Sequence, residues 1–145
     1  MACFNSIHIE ATADRIWTTL RNFHDLGWAA SIVQQCEAAG PARSAEPGAA
    51  RRLNEAITET LVALNDIEYR LAYRIENDST LPDGMRVHDC ISEVRVIPVT
   101  TDETSVVTWA SRWDAAKGDV QSFLDTVYQA LLTDLRSHCA RTQNS

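Results

Sequence analysis

Glu59, His88, Cys90, Tyr73 and Ser111 are the side chains of this 145-residue chain whose types could do chemistry together. A carboxylate and an imidazole at one spot in an apolar pocket can anchor a ligand's hydroxyl or carbonyl. They can also act as base and acid, with Tyr73 or Ser111 donating to a developing oxyanion. The plainer alternative stays open: Glu59 meets water at a pocket mouth and His88 is a hydrogen-bonded wall residue. Cys90 reads as a buried thiol, because nothing near it in sequence marks an activated nucleophile. Arg51 and Arg52 read as solvated.

Strand alternation says which of these groups can point inward. Over 86–97, Asp89, Glu93 and Arg95 share one face and are too charged to bury cheaply. The opposite face, His88, Cys90, Ser92, Val94 and Val96, is expected inside. Over 104–113, Val107, Trp109, Ser111 and Trp113 share a face, and two tryptophans carry too much apolar surface to leave in water. They are either core filler or walls of a ligand-sized cavity. Tyr73 and Ile75 join them from a neighbouring strand. Glu59 shares its face with Ile57, Leu61 and Ala63. The other face, Thr58, Thr60, Val62 and Leu64, is no more polar, so alternation does not orient Glu59.

The elements that must position these residues follow from period and punctuation. Residues 4–10 alternate around Ile7 and Ile9 as a first strand. Thr12 caps a helix with Asp14 in its first turn and an apolar face of Ile16, Trp17, Leu20 and Phe23. His24 to Trp28 is a second short helical piece, and 31–37 is a strand. Ala39 to Gly48 is a loop. Strands are then expected at 51–53, 57–64, 69–76, 86–97 and 104–113. Asn54-Glu55 and Asn65-Asp66 are tight turns, and Asn77 to Gly84 is a loop. Gly118 to Cys139 closes the chain as one long helix. Its stripe of Val120, Phe123, Leu124, Val127, Leu131, Leu135 and Cys139 needs an apolar surface to cover it. About seven strands joined by short turns, with helices segregated, make a single-domain α+β protein spanning 1–145.

Composition narrows the function classes. Apolar residues make up 45% and charged residues 23%, and net charge is −7 with dispersed acidic groups. That argues against nucleic acid or anionic membrane as the main partner. No run of 18 apolar residues is present, so membrane insertion is not expected. The opening Met-Ala-Cys-Phe-Asn-Ser lacks a charged and an apolar leader region, which reads as cytoplasmic. Cys3, Cys36, Cys90 and Cys139 are far apart, with no His at metal-ligand spacing, so free thiols and neither metal nor cofactor are expected. Oligomeric state is left open, a homodimer included.

The order strand, two short helices, six strands, long helix resembles the helix-grip fold of the START-like, or Bet v 1-like (SRPBCC), superfamily, with its bacterial polyketide cyclase/dehydrase-type members. Ala11-Thr-Ala-Asp-Arg-Ile-Trp17, Phe23 with Trp28, Gly48-Ala-Ala-Arg51, Thr58-Glu59-Thr-Leu61 before Asn65-Asp66, Leu81-Pro82, Ile97-Pro98 and Thr104 to Trp109 carry the resemblance. Residues 57–131 are distantly similar to the plant abscisic-acid receptors. The chain departs from them near Ala30, where their basic residue is missing, and at Asn54-Glu55, where their gate is short. The resemblance implies a seven-stranded curved antiparallel sheet wrapped around the last helix. It implies a deep cavity for a small hydrophobic ligand between them, and turns Glu59 and Leu61 inward. Phe123, Val127 and Leu131 would face that ligand from the helix. Binding or transport of a lipid, aromatic or polyketide-like molecule is the function this implies. A cyclase/dehydratase using Glu59 and His88 is the alternative, and an interaction protein with a vestigial cavity is the third.

Overall fold

The computed structural model describes residues 1–143. Strand β1 (Ala2–Ile9) leads into helix α1 (Ala13–Leu20) and a 3₁₀ turn (Gly27–Ala29). Six strands follow in the main sheet: β2 (Cys36–Ala39), β3 (Ala50–Leu53), β4 (Ile57–Asn65), β5 (Arg70–Ile75), β7 (Cys90–Val99) and β8 (Thr104–Arg112). Strands β6 (Arg86–His88) and β9 (Ala115–Lys117) pair separately as a small ribbon, and helix α2 (Val120–Gln143) closes the chain. The main sheet runs β1-β8-β7-β5-β4-β3-β2, every neighbour antiparallel. This is the α+β helix-grip architecture expected from the element order. Neither helix is long and apolar enough to cross a membrane.

Local chemistry accounts for the ends of the elements. Thr12 caps α1, its hydroxyl accepting from the Arg15 N–H. Trp17 Nε1 donates to Asp66 at 2.7 Å and Arg21 pairs with the same carboxylate at 2.9 Å, so α1 is pinned to the β4–β5 turn. Before α2, Gly118 has φ +83°, and a Cβ there would lie 2.6 Å from Met85 Cγ. Asp119 then accepts from the Ser122 N–H and hydroxyl, satisfying donors of the first turn. These bonds hold its carboxyl below the usual range.

Helix α2 lies across the inner face of the sheet. Val120, Leu124, Leu131, Leu135 and Cys139 are buried as the stripe requires, and Tyr128 and Leu132 are buried with them. Phe123 and Val127 are only half buried. The space beneath the helix is filled by aromatic rings. Trp109 stacks on Tyr128 with centroids 5.6 Å apart, Tyr73 meets Trp109 edge-on, and Phe23 meets Tyr73 at 5.9 Å. Packed rings therefore take up much of the space in which the resemblance implied a deep cavity, and a crevice of about 40 Å3 is left beneath the helix.

Three local readings are corrected. The strand expected at 31–37 is a turn followed by β2. Asn54 Oδ1 accepts from the N–H groups of Gln34 and Gln35 and its amide donates to Ile32 O, so side-chain bonds take the place of a ladder. The strand expected at 86–97 is broken at Asp89, which has φ +54°. That left-handed residue reverses the alternation: Val87 is buried before it, Cys90 after it, and His88 is exposed. Asn54-Glu55 is not a two-residue turn. Asn54, Glu55 and Ala56 form a three-residue connection, with Leu53 opposite Ile57 and Arg51 opposite Glu59.

Candidate functional site

The ends of the short strands and the N-terminal third of α2 leave an apolar cleft. It encloses about 410 Å3, and its lining comes from four segments. Ile32 and Val33 come from the turn before β2; Leu53, Asn54, Ala56 and Ile57 from the β3–β4 connection; Thr80 to Pro82 from the next loop; Phe123 and Val127 from α2. The volume falls within the range of small-molecule sites, roughly 300–1,000 Å3. Val33, Leu53, Ile57, Leu81, Phe123 and Val127 also line a narrower crevice of about 40 Å3 deeper in. Leu26, Arg51, Glu59, Tyr73, Ile75, Leu124, Tyr128 and Leu131 complete its walls.

Two of these wall residues form an ion pair. Arg51 Nε donates to Glu59 Oε1 at 2.8 Å, and the two residues are 5% and 6% exposed. Arg51 Nη1 donates to Phe23 O at 3.0 Å. The guanidinium carbon stands 3.9 Å over the Phe23 ring and 5.1 Å from that of Tyr73. Two buried charges tolerate low dielectric only when each meets the other and further donors or π faces, and both conditions hold here.

Behind the crevice lies a hydroxyl cluster. Tyr128 OH is 2.9 Å from Ser92 Oγ and 2.5 Å from Ser111 Oγ, and Trp109 Nε1 donates to Tyr73 OH at 2.9 Å. Burial holds the Tyr73 and Tyr128 hydroxyls protonated far above the ordinary phenol range. Burial likewise pushes the Cys90 thiol up to about 11, so at neutral pH these groups are proton-bearing donors and not bases.

The residues expected to line the site divide accordingly. Phe123 and Val127 line both the cleft and the crevice, and Glu59, Tyr73, Ile75 and Leu131 line the crevice alone. Leu61, Cys90, Val107, Trp109, Ser111 and Trp113 point inward but are packed in the core away from both. His88 is on the surface ribbon, opposite Ala115, and is not brought to Glu59. Arg51, expected in solvent, is buried against Glu59. Sequence reasoning also missed Ile32, Val33, Leu53, Ile57 and Leu81 as cleft residues. A signal existed for Arg51 and Leu53, which share one face of β3 in phase with Ala49 just before it. Among the described residues no three His, Cys, Asp or Glu side chains converge as metal ligands would.

An antiparallel sheet gripping one long helix, with an apolar opening between them, defines a helix-grip domain. The chain belongs to the polyketide cyclase/dehydrase and lipid transport family, which it matches over residues 5–140. A protein of known structure from Nitrosospira multiformis is 31% identical, with both chains covered completely and a TM-score of 0.90. The protein XoxI from Bacillus cereus is 19% identical over 98% of this chain and 97% of its own, with a TM-score of 0.79. A Thermobifida fusca protein is 21% identical over 97% and 93%, with a TM-score of 0.78. The last two likenesses are of fold. No curated protein matches the chain.

Proposed function

We propose that this protein binds a small, mostly apolar molecule in the cleft between α2 and the β3–β4 end of the sheet. The observation that carries the reading is continuity: six residues are common to the open cleft and the narrower crevice, which Arg51 and Glu59 also line. The family's description, which includes lipid transport, supports the same class of ligand. The apolar body sits against Phe123 and Val127, and the end that enters the crevice is small. An acid–base role for Glu59 with His88 has no support, because Glu59 is held by Arg51 and His88 faces solvent.

The test is calorimetric titration with a panel of medium-chain lipids and small aromatics, run on the native chain and on Val127→Trp. Saturable binding by the native chain, lost in the variant while its melting curve is kept, is the expected result. Binding that is unchanged by Val127→Trp would place the ligand elsewhere.

A further inference from the structure

We infer that the ligand this cleft selects is an uncharged molecule ending in a hydroxyl group, and that carboxylates are rejected. The inference rests on the binding reading above and adds the chemical class of the ligand. Its basis is what the ion pair leaves unused. A guanidinium has five N–H donors and a carboxylate two acceptor oxygens. Arg51 spends Nε on Glu59 and Nη1 on Phe23 O. Among the described residues, Arg51 Nη2 and Glu59 Oε2 make no hydrogen bond to the protein, while both residues line the crevice.

A donor on Arg51 and an acceptor on Glu59, neither used within the protein and both on residues that line one crevice, match a hydroxyl, which can accept from the first and donate to the second. An ether or ketone satisfies only the arginine. A carboxylate meets the arginine too, but Glu59 already neutralises that charge, and its own carboxylate repels a second one in a place with little water. The crevice, at about 40 Å3, takes a single small terminal group, so the hydrocarbon remains in the cleft. Two π faces hold the guanidinium in place, so its free edge is fixed before a ligand arrives.

The experiment compares three probes with bodies of similar length by calorimetry at neutral pH: decanol, its isomer methyl nonyl ether, and decanoate. Decanol is expected to bind at least about tenfold more tightly than decanoate, with the ether between them. In Glu59→Gln the free acceptor loses its charge and Arg51 is no longer neutralised, so decanoate gains and the ratio falls or inverts. Decanoate binding as tightly as decanol to the native chain, or a ratio unmoved in Glu59→Gln, overturns the inference. In those cases, loss of binding in Val127→Trp would leave the cleft reading standing. Absence of saturable binding by all three probes overturns both. If Glu59→Gln does not fold, the native ratio decides by itself.

Discussion

Tyr128, on the closing helix, puts its hydroxyl 2.5 Å from Ser111 Oγ on β8 and 2.9 Å from Ser92 Oγ on β7. The contact is fully buried, so it fixes the rotation of α2 over the sheet as well as adding stability. That rotation leaves Phe123 and Val127 half exposed at the cleft. Tyr128→Phe leaves the two serines bonded to each other and removes one shared partner. A loss of about 1–2 kcal/mol is expected in urea denaturation. A change below about 0.3 kcal/mol would show that the cluster does not hold the helix.

Arg51 and Glu59 should behave as a coupled pair. Arg51→Met leaves a buried carboxylate unpaired, and a loss of roughly 3–5 kcal/mol is expected. Arg51→Met with Glu59→Leu should recover most of that loss, since an apolar pair of similar volume needs no compensation. The check is a double-mutant cycle by chemical denaturation. Strictly additive losses would contradict the coupling.

Gly118 is required by conformation and by space. Gly118→Ala forces a side chain into φ +83° and against Met85 Cγ at 2.6 Å. A loss of about 1–2 kcal/mol from backbone strain alone is expected, with the clash in addition. Adding Met85→Ala should relieve the clash and not the strain, so thermal unfolding of the double variant should recover only part of the difference.

Stability should fall in alkaline solution. Burial holds the Cys90 thiol up to about 11 from an ordinary 9.0, and raises Cys3, Cys139, Tyr73 and Tyr128 as well. The folded state therefore binds more protons than the unfolded chain above about pH 9, and stability present below that pH is lost as pH rises toward 11. Denaturation midpoints between pH 8 and about 11 test the slope. Cys90→Ala should make it shallower; an unchanged slope would assign the loss to the other groups.

The faces of the long strands were legible from alternation. Val107, Trp109, Ser111 and Trp113 are buried as read, and so are Cys90, Ser92, Val94 and Val96. A pleated strand offers two faces, and the apolar one must leave water, so these assignments need only local sequence. The order of elements, read from period and turn signals, carried the family resemblance, and the family match agrees with it.

The candidate site was legible only in part. Glu59 lay on a strand with two equally apolar faces, and its orientation depended on register. One residue more in the 54–56 connection puts Arg51 opposite Glu59 and not opposite Thr58. One left-handed residue at Asp89 turns His88 out and keeps Cys90 in. The extra residue at Val62 does the same to Ala63, shifting the β4–β5 register after Leu61.

By itself, then, the sequence determined the class of fold, the strand faces between irregularities and the apolar stripe of α2, because each depends on periodic burial along a single element. Tertiary structure alone decided the partner of Glu59, the exposure of His88 and the size of the space beneath the helix. Those depend on single-residue shifts between strands and on how aromatic side chains from distant segments share one volume, and neither quantity is written in the local period of any segment.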